Sequence, residues 1–120
     1  MKVAINRCWG GFSISEKAVF RYAELKGITI VARKTDSDYF THYYIDGIED
    51  DEHYFTPHFS FWDNDERTDP YLIQTIEELG EEANGACAEL MVVDVPDDVK
   101  WYISENDGVE YVHELHRMWP

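Results

Sequence analysis

The string Asn6-Arg7-Cys8-Trp9-Gly10-Gly11-Phe12-Ser13 joins a short β-branched run to a helix start, and its residue types can hold an anion. Free backbone amides at a helix entrance attract negative charge. Paired glycines let the backbone approach a ligand closely, and Arg7 can add a charge-assisted bond to a phosphate or carboxylate. Arg7, Gly10, Gly11 and Ser13 are therefore the candidate residues for a nucleotide-like small molecule. The string has neither the lysine and spacing of a Walker loop nor a dinucleotide fingerprint. A tight turn with Trp9 and Phe12 folded onto the core accounts for the same residues. Cys8, next to Arg7, reads either as an activated thiol or as a small buried hydrophobe at a strand end.

A second constellation lies in the middle of the chain. Residues 34–69 hold 11 of the 25 acidic residues, and residues 39–62 hold half of the aromatics. Glu49-Asp50-Asp51-Glu52 is a run of four acids in an expected loop, with Tyr54, Phe55, Phe61 and Trp62 close behind it. Carboxylates beside aromatic anchors suit recognition of a basic protein surface, in which charge speeds encounter and rings supply contact area. The same alternation also describes a half-buried antiparallel ribbon with one wet face.

The remaining candidates for chemistry fall short of known patterns. His113-Glu114-Leu115-His116 spaces its histidines three apart rather than the four of the zinc helix, and on a strand they point to opposite faces. His42, His53 and His58 have no ligand spacing. The groups Asp94, Asp97, Asp98 and Asp63, Asp65, Glu66, Asp69 lack the ordered oxygen ladder of a calcium loop. No serine triad or nucleophile elbow is present. The expectation is a protein without catalytic residues, metal or cofactor.

The elements that must position these residues follow from patterning. Val3-Ala4-Ile5 predicts a buried strand over residues 2–8. Ser13 and Glu16 have capping-box spacing and predict a helix over Ile14–Lys26, with Ile14, Ala18, Tyr22 and Leu25 on one face and Gly27 as its left-handed stop. Ile28–Arg33 predicts a second strand, which makes a β-α-β start. Tyr39–Ile45 reads as a strand, Asp46-Gly47 as a turn, and His53–Trp62 as a strand or extended arm, with Pro57 favouring an edge. Asp69 as N-cap and Pro70 at the first helical position open a second helix with Leu72, Ile73, Ile76 and Leu79 at helical spacing. Leu90–Val95 is an apolar strand.

The C-terminal part predicts a β-hairpin turning at Asn106-Asp107-Gly108. A two-residue Asp-Gly loop would set Glu105 opposite Glu110, and facing like charges are destabilising. A three-residue loop with Gly108 left-handed pairs Lys100 with Glu114, Ile103 with Tyr111 and Val99 with Leu115, and is the expected register. Val109, Val112, Leu115 and Trp119 also suit a helix. Together these give a single α+β domain over residues 1–120: a mostly antiparallel sheet of about five strands with two helices.

Composition bounds the partners. The chain carries 25 acidic against 10 basic residues, a formal charge of −15, with 44% hydrophobic and 15% aromatic residues. That is enough apolar material for a core wrapped in a strongly negative field. Such a field disfavours direct nucleic-acid binding, which needs a basic stripe, and anionic membrane; it favours a basic surface of a protein. No apolar run approaches the roughly 18 residues of a membrane span. Met1–Asn6 lacks the apolar run and cleavage site of a secretory leader, and Cys8 and Cys87 imply no disulfide framework. The expectation is a cytoplasmic protein with two free thiols.

Ile5-Asn6-Arg7-Cys8-Trp9-Gly10-Gly11-Phe12-Ser13-Ile14-Ser15, Asp69-Pro70-Tyr71-Leu72-Ile73 with Glu77-Glu78-Leu79-Gly80, Val95-Pro96-Asp97-Asp98-Val99 and Asp107-Gly108-Val109-Glu110 resemble segments of small acidic proteins from bacteriophage and prophage genomes. The resemblance covers both ends of the chain and hardly residues 34–68. That family has no settled activity, so it implies a setting, the cytoplasm of a bacterial host, and no catalytic residues. Small acidic phage proteins are often stoichiometric inhibitors, some of which imitate the negative surface of DNA or RNA. Setting and charge together lead to the expectation of a non-enzymatic protein that inhibits or modulates a host defence or nucleic-acid-handling protein. A nucleotide-sequestering protein using the glycine turn, with Lys100 or Arg117 in support, is the alternative, and an acidic accessory protein of phage replication or assembly is a further one.

Overall fold

The first strand, β1 (Lys2–Asn6), is buried on both sides, as its unbroken Val-Ala-Ile run requires. Val3 and Ile5 pack with Val95, Trp101 and Ile103 in one apolar cluster, whereas Ala4 belongs to a larger one built on Ala18, Tyr22, Phe55, Leu72 and Ile76. The computed structural model describes residues 1–34 and 41–115. Helix α1 (Glu16–Leu25) buries Ala18, Val19, Tyr22 and Ala23. Strands β2 (Ile30–Arg33) and β3 (His42–Ile45) follow, and then α2 (Asn64–Arg67) and α3 (Pro70–Leu79). Strands β4 (Leu90–Asp94), β5 (Trp101–Asn106) and β6 (Val109–Glu114) complete an α+β fold.

Local signals explain most boundaries. Asp69 caps α3 by accepting from the Tyr71 amide at 2.9 Å, with Pro70 behind it, and Leu72, Ile73, Thr75 and Ile76 are buried. Gly27 ends α1 at φ +76°. The start of that helix corrects the capping-box expectation. Ser15, not Ser13, is the cap, its Oγ accepting from Ala18 N at 3.1 Å, while Ser13 Oγ donates to Ala86 O. Residues 13 and 85 cross so closely that Gly85 N donates to Ser13 O at 3.0 Å, which draws Ser13 away from α1.

The sheet differs from the expected five strands. Among the described residues, six strands form three separate antiparallel pairs, β1-β4, β2-β3 and β5-β6, so β1 and β2 do not share a sheet. The reason lies at the second edge of β1. Met1 and Arg7 bond across to Val95 and Glu89, leaving the polar groups of Ala4 and Asn6 on the other side. There, Ala4 O accepts from Arg67 Nη1 at 3.2 Å, and Asn6 N donates to Glu110 Oε1 at 2.8 Å. Side chains thus occupy the edge where another strand would pair.

The same two residues overturn the expected hairpin register. Trp101 faces Glu114, Ile103 faces Val112 and Glu105 faces Glu110, around a two-residue turn at Asp107 (φ +51°) and Gly108 (φ +90°). Glu110 does not repel Glu105, because it is held by Arg67 through Nη1–Oε1 at 2.6 Å and Nη2–Oε2 at 2.8 Å. Glu105 turns instead to the Gly108 amide. Residues 109–114 are strand rather than helix; His116, Arg117 and Trp119 lie outside the described residues.

Candidate functional site

The acidic run is presented by β3 and by the arm that follows it. Asp46 and Gly47 turn the chain with left-handed φ of +54° and +73°. Asp50 then caps a short 3-10 turn over Asp51–His53, accepting from His53 N at 2.9 Å and bonding its Nδ1 at 2.6 Å. The His53 side chain, aided by its backbone amide, holds the Asp50 carboxyl below its ordinary range. Tyr54 bridges to Tyr44, and Phe55 N donates to Tyr43 O at 2.8 Å. Beyond that, of the strand or extended arm expected over 53–62, it is the arm that forms, without further pairing. Phe55 and Phe59 fix it by packing on the Tyr22 ring, with centroids 6.4 and 5.4 Å away.

This path brings Glu49, Asp50, Asp51 and Tyr54 together with His42 and Tyr44 around one concavity of about 330 Å³. The Tyr44 and Tyr54 rings meet edge to face at 5.7 Å and 67°, and His42 flanks Tyr54 at 5.8 Å, with Nδ1 3.1 Å from the tyrosine hydroxyl. On the rim, Glu49 accepts from Arg33 Nε at 2.5 Å. The other residues named from sequence go elsewhere. Glu52 is exposed outside the walls of this concavity, and Phe55 turns into the core. Phe61 packs on the smaller apolar cluster, and Trp62, 76% exposed, stacks edge to face on Phe61. His42 and Tyr44 are not among the site residues expected from sequence. Their spacing of two places them on one face of β3, which was the available signal.

The glycine turn uses its polar groups within the chain. Gly10 and Gly11 have φ of +109° and +94°, and Gly10 N donates to Asp107 O at 3.4 Å. Gly108 lies against them: a Cβ there would fall 2.4 Å from Gly11 N and 2.6 Å from Gly10 N. Arg7 donates Nη1 to Glu110 O at 2.9 Å and covers the Tyr111 ring at 4.3 Å. Phe12 packs on the core and under the Arg67 guanidinium, but Trp9 is 69% exposed, contrary to the expectation that both fold inward.

Cys8 and Cys87 are free thiols. His113 bonds Ser104 Oγ through Nε2 at 2.7 Å and stacks on Tyr102. Among the described residues, no group of three or more His, Cys, Asp or Glu side chains is placed to hold a metal ion, and no helix is long and apolar enough to cross a membrane.

A third feature, Arg67 with Glu110, is 1% and 2% exposed. Arg67 also donates Nε to Phe59 O at 2.6 Å, so the pair ties the arm, β1 and β6 into one unit. Its role is architectural, and it links the frame to the segment that carries the concavity. Compared with known proteins, the chain matches no family model, no curated protein and no solved structure.

Proposed function

We propose that this chain is a non-enzymatic binding protein that docks on a basic surface of a bacterial host protein and inhibits or modulates it, in the manner of an acidic phage product. The observation that carries this reading is the gathering of Glu49, Asp50, Asp51 and Tyr54 with His42 and Tyr44 around one concavity. Acids at the mouth attract a basic partner and rings give it something to rest on. A net charge of −15 extends the attraction over the whole approach. The nucleotide-binding alternative draws less support, since Arg7, Gly10 and Ser13 already spend polar groups on Glu110, Asp107 and Ala86.

The test begins with affinity capture from host lysate at low and moderate salt. Association of the captured protein is then timed at two salt concentrations with the parent and with the variant Glu49→Gln, Asp50→Asn, Asp51→Asn, Glu52→Gln. The parent should associate faster at low salt, and the variant should be slower with a flatter salt response. Equal rates and equal salt dependence would rule this surface out as the docking site.

A further inference from the structure

We infer that the concavity between β3 and the 3-10 turn is a pocket for a single arginine side chain of the partner; this rests on the docking role proposed above and names the chemistry of its anchor. The first argument is what the walls offer a cation. Tyr44 and Tyr54, edge to face at 5.7 Å, and His42, 5.8 Å from Tyr54, line the space with three aromatic rings. Aromatic faces attract cations through the ring quadrupole. A carboxylate rim repels anions and is desolvated at a cost by an apolar guest, so the lining selects positive charge with a flat or slender body.

The second argument is size. A volume of about 330 Å³ lies at the lower end of small-molecule sites. It suits one extended side chain and is too small to seat a whole helix.

The third argument separates arginine from lysine. A guanidinium is planar, weakly hydrated and able to stack on a ring while its edge bonds carboxylates, whereas an ammonium is a compact, strongly hydrated point charge. On the rim itself one guanidinium-carboxylate contact is present, Arg33 Nε donating to Glu49 Oε1 at 2.5 Å. Asp50 is committed to His53, but Asp51 makes no ion pair or hydrogen bond with its side chain among the described residues. It is the carboxylate ready to accept the incoming fork. A protein arginine is favoured over free arginine because the free amino acid brings its own carboxylate to an acidic rim.

The experiment is a two-dimensional amide and tyrosine-ring NMR titration of the full chain with acetylated, amidated Gly-Arg-Gly peptide. Lysine and citrulline versions serve as controls. The arginine peptide should give saturable shifts centred on His42, Tyr44 and Tyr54, bind at least fivefold more tightly than the lysine version, and leave the citrulline version silent. Tyr54→Leu, which keeps apolar bulk at the bridge, and Asp51→Asn should each weaken it several-fold, whereas Tyr102→Leu on the β5-β6 ladder should not.

Equal binding of arginine and lysine peptides with no loss in Tyr54→Leu would overturn the pocket, leaving only diffuse attraction. So would shifts spread over the surface, or none. The two readings fail separately. A silent titration beside slowed association of the four-acid variant removes the arginine pocket and keeps the docking surface. A positive titration beside unchanged association keeps the pocket and removes the proposed docking role.

Discussion

Breaking the Arg67–Glu110 pair should cost about as much as the largest apolar truncation in the smaller cluster. Both side chains are within 2% of complete burial, and they meet through two parallel bonds of 2.6 and 2.8 Å. Glu110→Gln keeps the shape but leaves the guanidinium without its counter-charge, and removal of one partner from a buried pair typically costs about 3–5 kcal/mol. Arg67→Met strands the carboxylate and also deprives Phe59 O and Ala4 O of a donor. For a domain of this size each kcal/mol corresponds to roughly 4 °C in Tm, so either variant should melt about 12–20 °C below the parent.

The double variant Arg67→Met, Glu110→Leu should recover at least about 2 kcal/mol of the loss summed over Arg67→Met and Glu110→Leu singly, since neither charge is then left alone. It should not recover fully, because the Asn6 amide also loses its acceptor. Urea titrations at about 10–20 °C, where stability is near its maximum, give the values for the parent, the three single variants and the double. Single variants costing under about 1 kcal/mol, or a double variant equal to the sum, would refute the view that this pair closes the fold.

Three further outcomes are expected. Gly108→Ala should destabilise by more than about 2 kcal/mol and by clearly more than Gly11→Ala: both sites have positive φ, but only the added methyl at 108 meets backbone at 2.4–2.6 Å, while the space at Gly11 is open. Thermal melts of the two compare strain alone with strain plus collision. Asp69→Ala should cost about 1–2 kcal/mol through the lost cap on Tyr71 N and the Tyr22 hydroxyl left without its acceptor, and Asp69→Asn should restore most of it, as urea midpoints would show. Bonds from Arg21, then Gln74, hold the Glu78 carboxyl at about 2 instead of 4.5. The stabilisation is therefore complete above about 4.5 and is lost as pH falls through about 2. The Tm gap between parent and Glu78→Gln should be constant from neutral pH down to that window and shrink within it.

Features set by neighbours in sequence were legible, and features set by distant partners were not. The Asp69-Pro70 start of α3, the stop at Gly27 and the buried run of β1 depend on a few adjacent residues, and each is where patterning places it. The hairpin register is the opposite case. Two glutamates facing each other argue against the Asp-Gly turn until Arg67, 43 residues from Glu110, is seen to neutralise one of them. Arg67 itself follows three acids within Asp63-Asn64-Asp65-Glu66 and reads as solvent-exposed, so nothing local marks it as the most deeply buried cation among the described residues. A glutamate in phase with Val112, on the inward side of β6, was the one local sign that a buried counter-charge was required. In the candidate site the acids were legible as a loop. Its walls were not, because His42 and Tyr44 acquire their setting only when the arm returns Tyr54 to β3.

The architecture separates two demands that would otherwise conflict. Four consecutive acids repel one another and add nothing to the core, so a fold that used them structurally would be weakened where it needs to be firm. Here the burden falls elsewhere. Asp50 spends its carboxylate on the 3-10 turn and Glu49 on Arg33, which fixes the loop locally. Phe55 and Phe59 pin the arm under Tyr22, and Arg67 holds Phe59 O from inside the frame. The acids can therefore remain exposed while the rings beside them are held in place, and a prepositioned ring loses little entropy when a partner arrives. That division between an anchored base and a charged rim is the feature of residues 42–54 on which the proposed docking role rests.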